Sequence, residues 1–125
     1  MDYSKLSDFD INCGVLAIFS PDIKHMFLSG DNSCFYDCGP TGDGWHQIDI
    51  PDYCNNPADA WTIIQSNGIS LVKYEHGMWL ASSDAYWVDG VEWQIDGEAH
   101  PRPLRAAMIV FLMMQESANV QDNPA

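Results

Sequence analysis

The stretch PLRAAMIVFLMM, residues 103–114, decides the fold of this chain. Nine consecutive residues within it, 106–114, carry no polar side chain, and most of them are strong helix formers. Because a helix that is apolar on every side must be surrounded by protein or lipid, we expect this one to be buried. The apolar run is much shorter than the ~20 residues that a bilayer requires. The pattern therefore predicts a central helix wrapped by the rest of the protein.

The N-terminal region carries the signals of a first helix. Ser7 followed by Asp10 is typical of a short capping box, and Pro21 predicts the end of the helix. Residues 15–19 are also compatible with a strand, although the spacing favours the helix. The apolar face predicted from this spacing consists of Phe9, Cys13, Leu16 and Ala17.

A second helix is predicted to begin near residue 57. Asn56 suits the capping position, and Pro57 suits the first helical position. The pair Asn67-Gly68 predicts a left-handed exit from the helix. Its predicted apolar face consists of Ala60, Trp61, Ile63 and Ile64.

Strands are predicted in the remaining parts of the chain. Residues 23–28 form a short apolar run before a turn cluster, which favours a strand. Residues 29–52 are rich in Gly, Asp and Pro, and we interpret them as the longest irregular segment, with one short strand at 45–50. Residues 97–103 are interpreted as a connector, and the polar tail 117–125 is expected to fray.

Two hairpins are predicted between residues 70 and 95. A two-residue loop at His76-Gly77 would place Tyr74 opposite Trp79 and Val72 opposite Ala81. A loop at Asp89-Gly90 would place Val88 opposite Val91. In that register an apolar face forms on one side, and Trp87 lies beside Glu92 on the other. The apolar face would consist of Tyr86, Val88, Val91, Trp93 and Ile95.

These elements predict a single acidic α+β domain over residues 1–125. We expect an antiparallel sheet of three to five strands, packed with about three helices, with the C-terminal helix at the centre. The size is sufficient for one hydrophobic core without disulfides or metal ions.

The charge of the chain is strongly unbalanced. Eighteen Asp and Glu residues stand against five Lys and Arg, which gives a formal net charge of −13. This excess disfavours direct binding to nucleic acid or to an anionic membrane and favours a protein partner with a basic surface. The alternative is an acidic surface that serves only solubility.

The carboxylates that could meet such a partner fall into two groups, and Trp87 is a candidate aromatic anchor beside the second group. Closely spaced carboxylates can imitate the phosphates of a DNA duplex and so occupy the basic groove of a DNA-binding enzyme. The predicted interface consists of Asp37, Asp43, Asp49 and Asp52 in the first group and Asp84, Trp87, Asp89, Glu92, Asp96 and Glu98 in the second.

Other chemistry is weakly supported by the sequence. Cys34, Cys38, His46 and Cys54 match zinc spacing only loosely, so we interpret the cysteines as free thiols and predict no metal ion or cofactor. No nucleophile elbow or phosphate loop is present, and we predict a protein without catalytic residues. A second hypothesis is a nucleotide-binding or other small-molecule pocket lined by Trp61, Trp79 and Trp93, although core packing is the more common use of such side chains.

Three blocks of the chain form a recognisable combination: MDYSKLSDFDIN (1–12), DYCNNPADAW (52–61) and PLRAAMIVFLMMQ (103–115). Together they resemble the NinX-like family of small proteins from lambda-like phages and prophages. The resemblance implies expression in the cytoplasm of a bacterial host and an accessory role, and small acidic phage proteins of this kind often bind host proteins. It implies no catalytic residues, and the start of the chain has no secretory leader pattern. Association of copies through the apolar helix stays open.

Overall fold

A computed structural model of the protein describes residues 2–38, 44–84, 86–95 and 97–122. The described residues form three α-helices and eight short strands, which confirms the predicted α+β class. In chain order these are α1 (Asp8–Phe19), β1 (Phe27–Leu28), β2 (Cys34–Asp37), β3 (His46–Asp49), α2 (Pro57–Ser66), β4 (Ile69–Lys73), β5 (Trp79–Ser83), β6 (Tyr86–Val88), β7 (Val91–Trp93), β8 (Glu98–His100) and α3 (Pro103–Asp122).

Helix α3 lies at the centre of the fold, as its composition predicts. Residues 106–112 are all buried, and α1, α2 and strands β4, β5 and β8 contact this helix. An apolar surface on every side of α3 is therefore covered by protein. The helix continues to Asp122, and the fraying of the polar tail stays a prediction. No helix among the described residues is both long enough and apolar enough to span a bilayer.

Helix α1 begins with the predicted capping box. The Ser7 hydroxyl accepts a hydrogen bond from the Asp10 N–H at 3.1 Å, and the Asp10 carboxylate accepts one from the Ser7 N–H at 3.4 Å. Because the helix extends through Phe19, the alternative of a strand at 15–19 is wrong. The predicted face is only partly correct, since the buried residues of α1 are Ile11, Asn12, Val15 and Leu16.

Helix α2 also follows its predicted ends. The Asn56 side chain accepts a hydrogen bond from the Ala58 N–H at 3.0 Å, and Gly68 has a φ of +63° just after the helix. Ala60, Ile63 and Ile64 are buried as predicted, whereas Trp61 is 59% exposed. The predicted burial of Trp61 is therefore wrong.

The first sheet has the order β1-β2-β3 and is antiparallel throughout. Strand β3 confirms the strand predicted at 45–50. Most of the strand predicted at 23–28 is wrong, because Pro21–His25 form a 3-10 helix that buries Ile23 and only residues 27–28 are extended. Proline fixes φ near the value that the first turn of such a helix needs. Strand β2 lies inside the segment that we interpreted as irregular.

The second sheet has the order β4-β5-β8, and its first hairpin differs from the predicted register by one residue. Lys73 lies opposite Trp79, and Leu71 lies opposite Ala81. The reason is a three-residue loop, Glu75–Gly77, closed by a hydrogen bond from the Tyr74 N–H to the Met78 carbonyl at 2.8 Å. The shift leaves Val72 and Tyr74 exposed.

Strand β8 corrects the interpretation of residues 97–103 as a simple connector. Trp79 pairs with His100, and Ala81 pairs with Glu98, so this segment completes the second sheet directly before α3. Strand β5 therefore becomes the central strand, and its Ala81 is fully buried against the core.

The β6–β7 hairpin has the predicted register. Val88 pairs with Val91, and Trp87 pairs with Glu92. Asp89 and Gly90 have φ values of 51° and 80°, which is the pattern of a two-residue turn with both residues in the left-handed region. Val91, on the predicted apolar face, is nevertheless 45% exposed.

Candidate functional site

The structure brings part of the predicted interface together on the β6–β7 hairpin. We call Trp87, Asp89 and Glu92 the hairpin surface. Trp87 is 67% exposed and lies directly opposite Glu92, which is also exposed, and Asp89 forms the turn next to them. Paired residues on adjacent strands share one face of the hairpin, so the indole and the carboxylate are neighbours.

The base of the hairpin is fixed to the core through Ser83. This buried residue donates its N–H to the Ile95 carbonyl at 3.0 Å and accepts the Ile95 N–H on its hydroxyl at 2.8 Å. Asp84 follows Ser83 and is exposed. Glu98 belongs to β8, opposite Ala81, and the predicted position Asp96 lies outside the described residues.

The first group of predicted carboxylates is more dispersed. Asp37 is half-buried at the end of β2, opposite His46. Asp49 is exposed and accepts a hydrogen bond from the Gln47 side chain at 2.9 Å. Asp52 accepts hydrogen bonds from the Asn12 and Asn55 side chains, so its carboxylate serves the fold itself. Asp43 is outside the part of the chain that the structure describes.

The three blocks that carry the family resemblance meet at one network, which we call the arginine clasp. Its centre is Asp8. One oxygen of this carboxylate accepts hydrogen bonds from Arg105 at 2.8 Å and from Arg102 at 3.1 Å. Arg102 also donates to the Asn55 side chain, and Arg105 donates to the backbone carbonyls of Ser4 and Leu6. The clasp therefore joins the N-terminal segment, the start of α2 and the start of α3.

The clasp fixes the charge of its members. Hydrogen bonds from Arg102 are the largest cause that lowers the pKa of Asp8, to about 2, although partial burial opposes the shift. The pKa of Arg102 is raised, chiefly by its hydrogen bond to Asp8. Arg105 is only 5% exposed, and its buried guanidinium is compensated by the Asp8 carboxylate and two carbonyls. At neutral pH this network is a structural ion pair.

Sequence reasoning missed the clasp, although one signal was available. Arg105 occupies the first turn of an otherwise apolar helix, where the partial positive charge of the helix end disfavours a cation. An arginine placed there requires a carboxylate nearby. The sequence does not identify that carboxylate as Asp8, because the two residues are 97 positions apart.

The cysteines lie in different environments. Cys54 is 2% exposed, and burial raises the pKa of its thiol to about 12. Cys34 is buried, Cys38 is exposed and Cys13 is half-buried, and all four are free. In the described part of the chain, no group of three His, Cys, Asp or Glu side chains is arranged to hold a metal ion.

A second surface, which sequence reasoning missed, lies on the first sheet. We call Phe27, Tyr36 and Trp45 the aromatic ladder. The centroids of the Phe27 and Tyr36 rings are 5.8 Å apart, and the Tyr36 and Trp45 rings stack at 5.2 Å with an angle of 11° between them. Phe27 and Trp45 are 66% and 61% exposed.

Two of the described surface clefts bear on the small-molecule hypothesis. A cleft of about 410 Å³ lies beside the 3-10 helix and β3, and it is lined by Asp22, His25, Met26, Asp37, His46, Gln47 and Ile48. Trp61 borders an open groove together with Asp84 and residues of β4. Trp79 pairs with Lys73 and His100 in the second sheet. The small-molecule hypothesis based on the tryptophans stays a prediction.

Comparison with known proteins gives a family. Residues 2–115 match the family described as Bacteriophage P22, NinX. No curated protein and no solved structure matches the chain. Since the match spans nearly the whole chain, the protein belongs to this phage NinX family, as the three blocks predict.

Proposed function

We propose that this member of the phage NinX family is an accessory protein that binds a basic surface of a host or phage protein in the host cytoplasm. The observation that carries the proposal is Trp87, which is 67% exposed beside Glu92 on a hairpin that is fixed to the core. A large aromatic side chain next to carboxylates is suited to anchor a protein interface.

The geometry of the hairpin supports this role. The left-handed turn at Asp89-Gly90 and the two hydrogen bonds between Ser83 and Ile95 define both ends of the hairpin. The register between these ends places Trp87 and Glu92 opposite each other. The hairpin surface therefore combines an exposed aromatic ring with a carboxylate on one face.

The charge of the protein supports a basic partner. At a net charge of −13, association with a positively charged surface is accelerated, and association with nucleic acid or with an anionic membrane is opposed. Enzymes that act on nucleic acids present basic grooves to phosphates. A host defence or nucleic-acid enzyme is thus the partner class that we propose, with the acidic protein acting as an inhibitor that imitates DNA.

We propose a role in binding rather than in catalysis. Two arginines hold the Asp8 carboxylate, whose pKa is about 2. This carboxylate therefore does not exchange protons near neutral pH. The Cys54 thiol, with a pKa of about 12, is protonated and shielded from reagents. The two most strongly perturbed acidic groups of the clasp region are therefore unsuited to acid–base or nucleophilic chemistry.

Co-purification tests the proposal. Tagged protein is isolated from infected host cells at increasing salt, and the captured protein is identified and then purified for direct binding. Trp87→Ala is compared with Trp61→Ala, which removes a tryptophan of similar exposure, 59% against 67%. We expect Trp87→Ala to weaken binding by about 2 kcal/mol and increasing salt to weaken it further, whereas Trp61→Ala retains the partner.

The opposite results would reject the proposal. One is the absence of a specific partner at every salt concentration. The other is a partner that binds the Trp87→Ala and Trp61→Ala variants equally well. A double change of Asp89→Asn and Glu92→Gln tests the carboxylates separately, since it removes charge and preserves the size of both side chains.

A further inference from the structure

The geometry points to the aromatic ladder as a second contact surface, one that receives arginine side chains of a basic protein partner. This inference rests on the proposed function, because it names the chemical group of the partner. Phe27 and Tyr36 belong to the first sheet, and Trp45 directly precedes β3, whereas Trp87 belongs to β6. The hairpin surface and the ladder therefore share no residue and can be changed separately.

The ladder is an ordered array of rings. Phe27 pairs with Tyr36, and Tyr36 pairs with Gln47, so these three side chains share one face of the first sheet. The opposite face carries Phe35 and Ile48, which pack against the core. One side of the sheet is thus used by the fold, and the other presents aromatic rings that contribute little to the core.

Trp45 is held in place by polar contacts. Its indole N–H donates to the Gln47 side-chain oxygen at 3.2 Å, and the Gln47 amide nitrogen donates to Asp49 at 2.9 Å. One face of the indole stacks on Tyr36, so the 61% exposure of Trp45 comes from its other face and its edge. The result is an oriented ring face with a carboxylate at the end of the same chain of hydrogen bonds.

These features select a guanidinium group. A cation within about 6 Å of a tryptophan ring centre is attracted to the electron-rich face, and arginine is used for this contact more often than lysine. The planar guanidinium stacks on an aromatic ring and also donates paired hydrogen bonds to a carboxylate. Trp45 and Asp49 supply a ring and a carboxylate along one strand.

The charge of the protein decides between the occupants of such a surface. Aromatic rings also stack with nucleic-acid bases, but the phosphates of a nucleic acid are repelled by a protein with a net charge of −13. A second copy of the chain carries the same charge and is repelled as well. A basic segment that contains arginine can stack on the aromatic rings and is attracted by the negative charge of the protein.

Binding of two peptides tests the inference. Oligoarginine and oligolysine peptides of equal length are titrated into the protein at about 0.15 M salt, where long-range attraction is partly screened. Because both peptides carry the same charge, the ratio of their dissociation constants isolates the contribution of the guanidinium group. We expect the arginine peptide to bind the unchanged protein at least about threefold more tightly.

Variants locate the binding site. Trp45→Ala should lower the affinity for the arginine peptide about 3- to 30-fold and bring the ratio close to one, whereas Trp45→Phe should retain part of the preference. Trp61→Ala, which removes an exposed tryptophan outside both proposed surfaces, should leave the ratio unchanged. Trp45 is 61% exposed, so the folded state of its variants is expected to persist, and circular dichroism checks this. The indole N–H signal of Trp45 in the NMR spectrum should also shift on titration.

The outcomes separate this inference from the proposed function. Equal binding of the two peptides, or a preference that survives Trp45→Ala, would overturn the ladder as an arginine site even if Trp87 is required for capture of a partner. A preference that depends on Trp45 supports the inference. If that preference is found but no partner is captured from infected cells, the proposed function fails while the arginine site stands.

Discussion

At the scale of single residues, the arginine clasp joins the N-terminal segment of the described chain to the start of α3. Arg105 has no compensation for its buried charge other than Asp8 and two backbone carbonyls among the contacts described. Removal of one member of a buried ion pair leaves the other charge unpaired, which is more damaging than the loss of the attraction alone. The fold therefore depends on the charge of Asp8.

We expect Asp8→Asn to lower the free energy of unfolding by about 2–4 kcal/mol at pH 7. The estimate lies below that for a fully buried pair because the Asp8 side chain is 30% exposed. The control is Asp89→Asn, which makes the same change at an exposed turn and should alter stability by less than about 0.5 kcal/mol. Denaturation by urea measures both, and equal stabilities of the two variants would contradict the role of the clasp.

The pH dependence of the same contact has a definite sign. The pKa of Asp8 falls from its ordinary 3.8 to about 2 in the folded protein, so the unfolded chain binds more protons between these values. The stabilisation is complete above about pH 4 and is lost as the pH falls toward 2. The difference between unchanged protein and Asp8→Asn should thus be constant from pH 7 to about pH 5 and shrink below about pH 4.

Two glycines should respond in opposite directions to alanine. Gly14 lies within α1, and a Cβ there would meet Leu112 at 3.6 Å, an ordinary contact distance. Gly14→Ala should stabilise the protein by about 0.5–1 kcal/mol, since alanine favours a helix. Gly68 has a φ of +63°, so Gly68→Ala should destabilise it by about 1 kcal/mol. Thermal unfolding of the two variants measures both, and a destabilised Gly14→Ala would contradict the packing described for α1.

At the scale of the elements, local signals were sufficient for two helix starts and for one of the two predicted hairpin turns. The helix starts at Ser7 and Asn56 and the turn at Asp89-Gly90 depend on neighbouring residues, and each is correct. The pairing of Trp87 with Glu92 follows from that turn. The central pair of the hairpin surface was therefore predictable from the sequence.

The buried face of α1 was mispredicted because a distant contact overrides the local pattern. Asn12 is a polar residue on the buried side of α1, because it binds Asp52 and the Cys54 N–H from the loop before α2. Its polarity hides the true face of the helix from a search for apolar spacing. The aromatic ladder and the arginine clasp were missed for a related reason, since each requires elements that only the folded chain brings together.

The register of the β4–β5 hairpin gives a test at this scale. Leu71 packs against the core opposite Ala81, whereas Val72 is 52% exposed. Leu71→Thr should therefore lower the free energy of unfolding by about 1–2 kcal/mol, and Val72→Thr should change it by less than about 0.5 kcal/mol. Urea denaturation of the two variants compares them directly. A larger loss of stability for Val72→Thr than for Leu71→Thr would instead support the register with the two-residue loop.

At the scale of the whole molecule, the net charge opposes compactness. With 18 acidic residues against 5 basic ones, the described ion pairs neutralise few of the carboxylates. Self-repulsion of this kind destabilises a folded state and is screened by salt. The excess of charge therefore reduces stability, while the same charge favours association with the basic partner that we propose.

We expect the melting temperature to rise by a few degrees, about 2–6 °C, when sodium chloride is increased from about 0.01 M to 0.2 M. Screening lowers the repulsion over the surface, whereas the buried side of the arginine clasp is screened much less. Differential scanning calorimetry measures the change. Potassium chloride serves as the control, since screening depends on ionic strength rather than on the cation. A melting temperature that falls with salt would indicate that attractive pairs dominate.

The central position of α3 also determines when the protein can fold during synthesis. Helices α1 and α2 and the strands before residue 103 are made first, but the residues that cover their apolar faces come from the last helix. A nascent chain therefore exposes those faces until α3 emerges from the ribosome. We therefore expect a chain that stops before residue 103 not to fold stably, because it lacks seven of the 18 buried residues in the core cluster of the described chain.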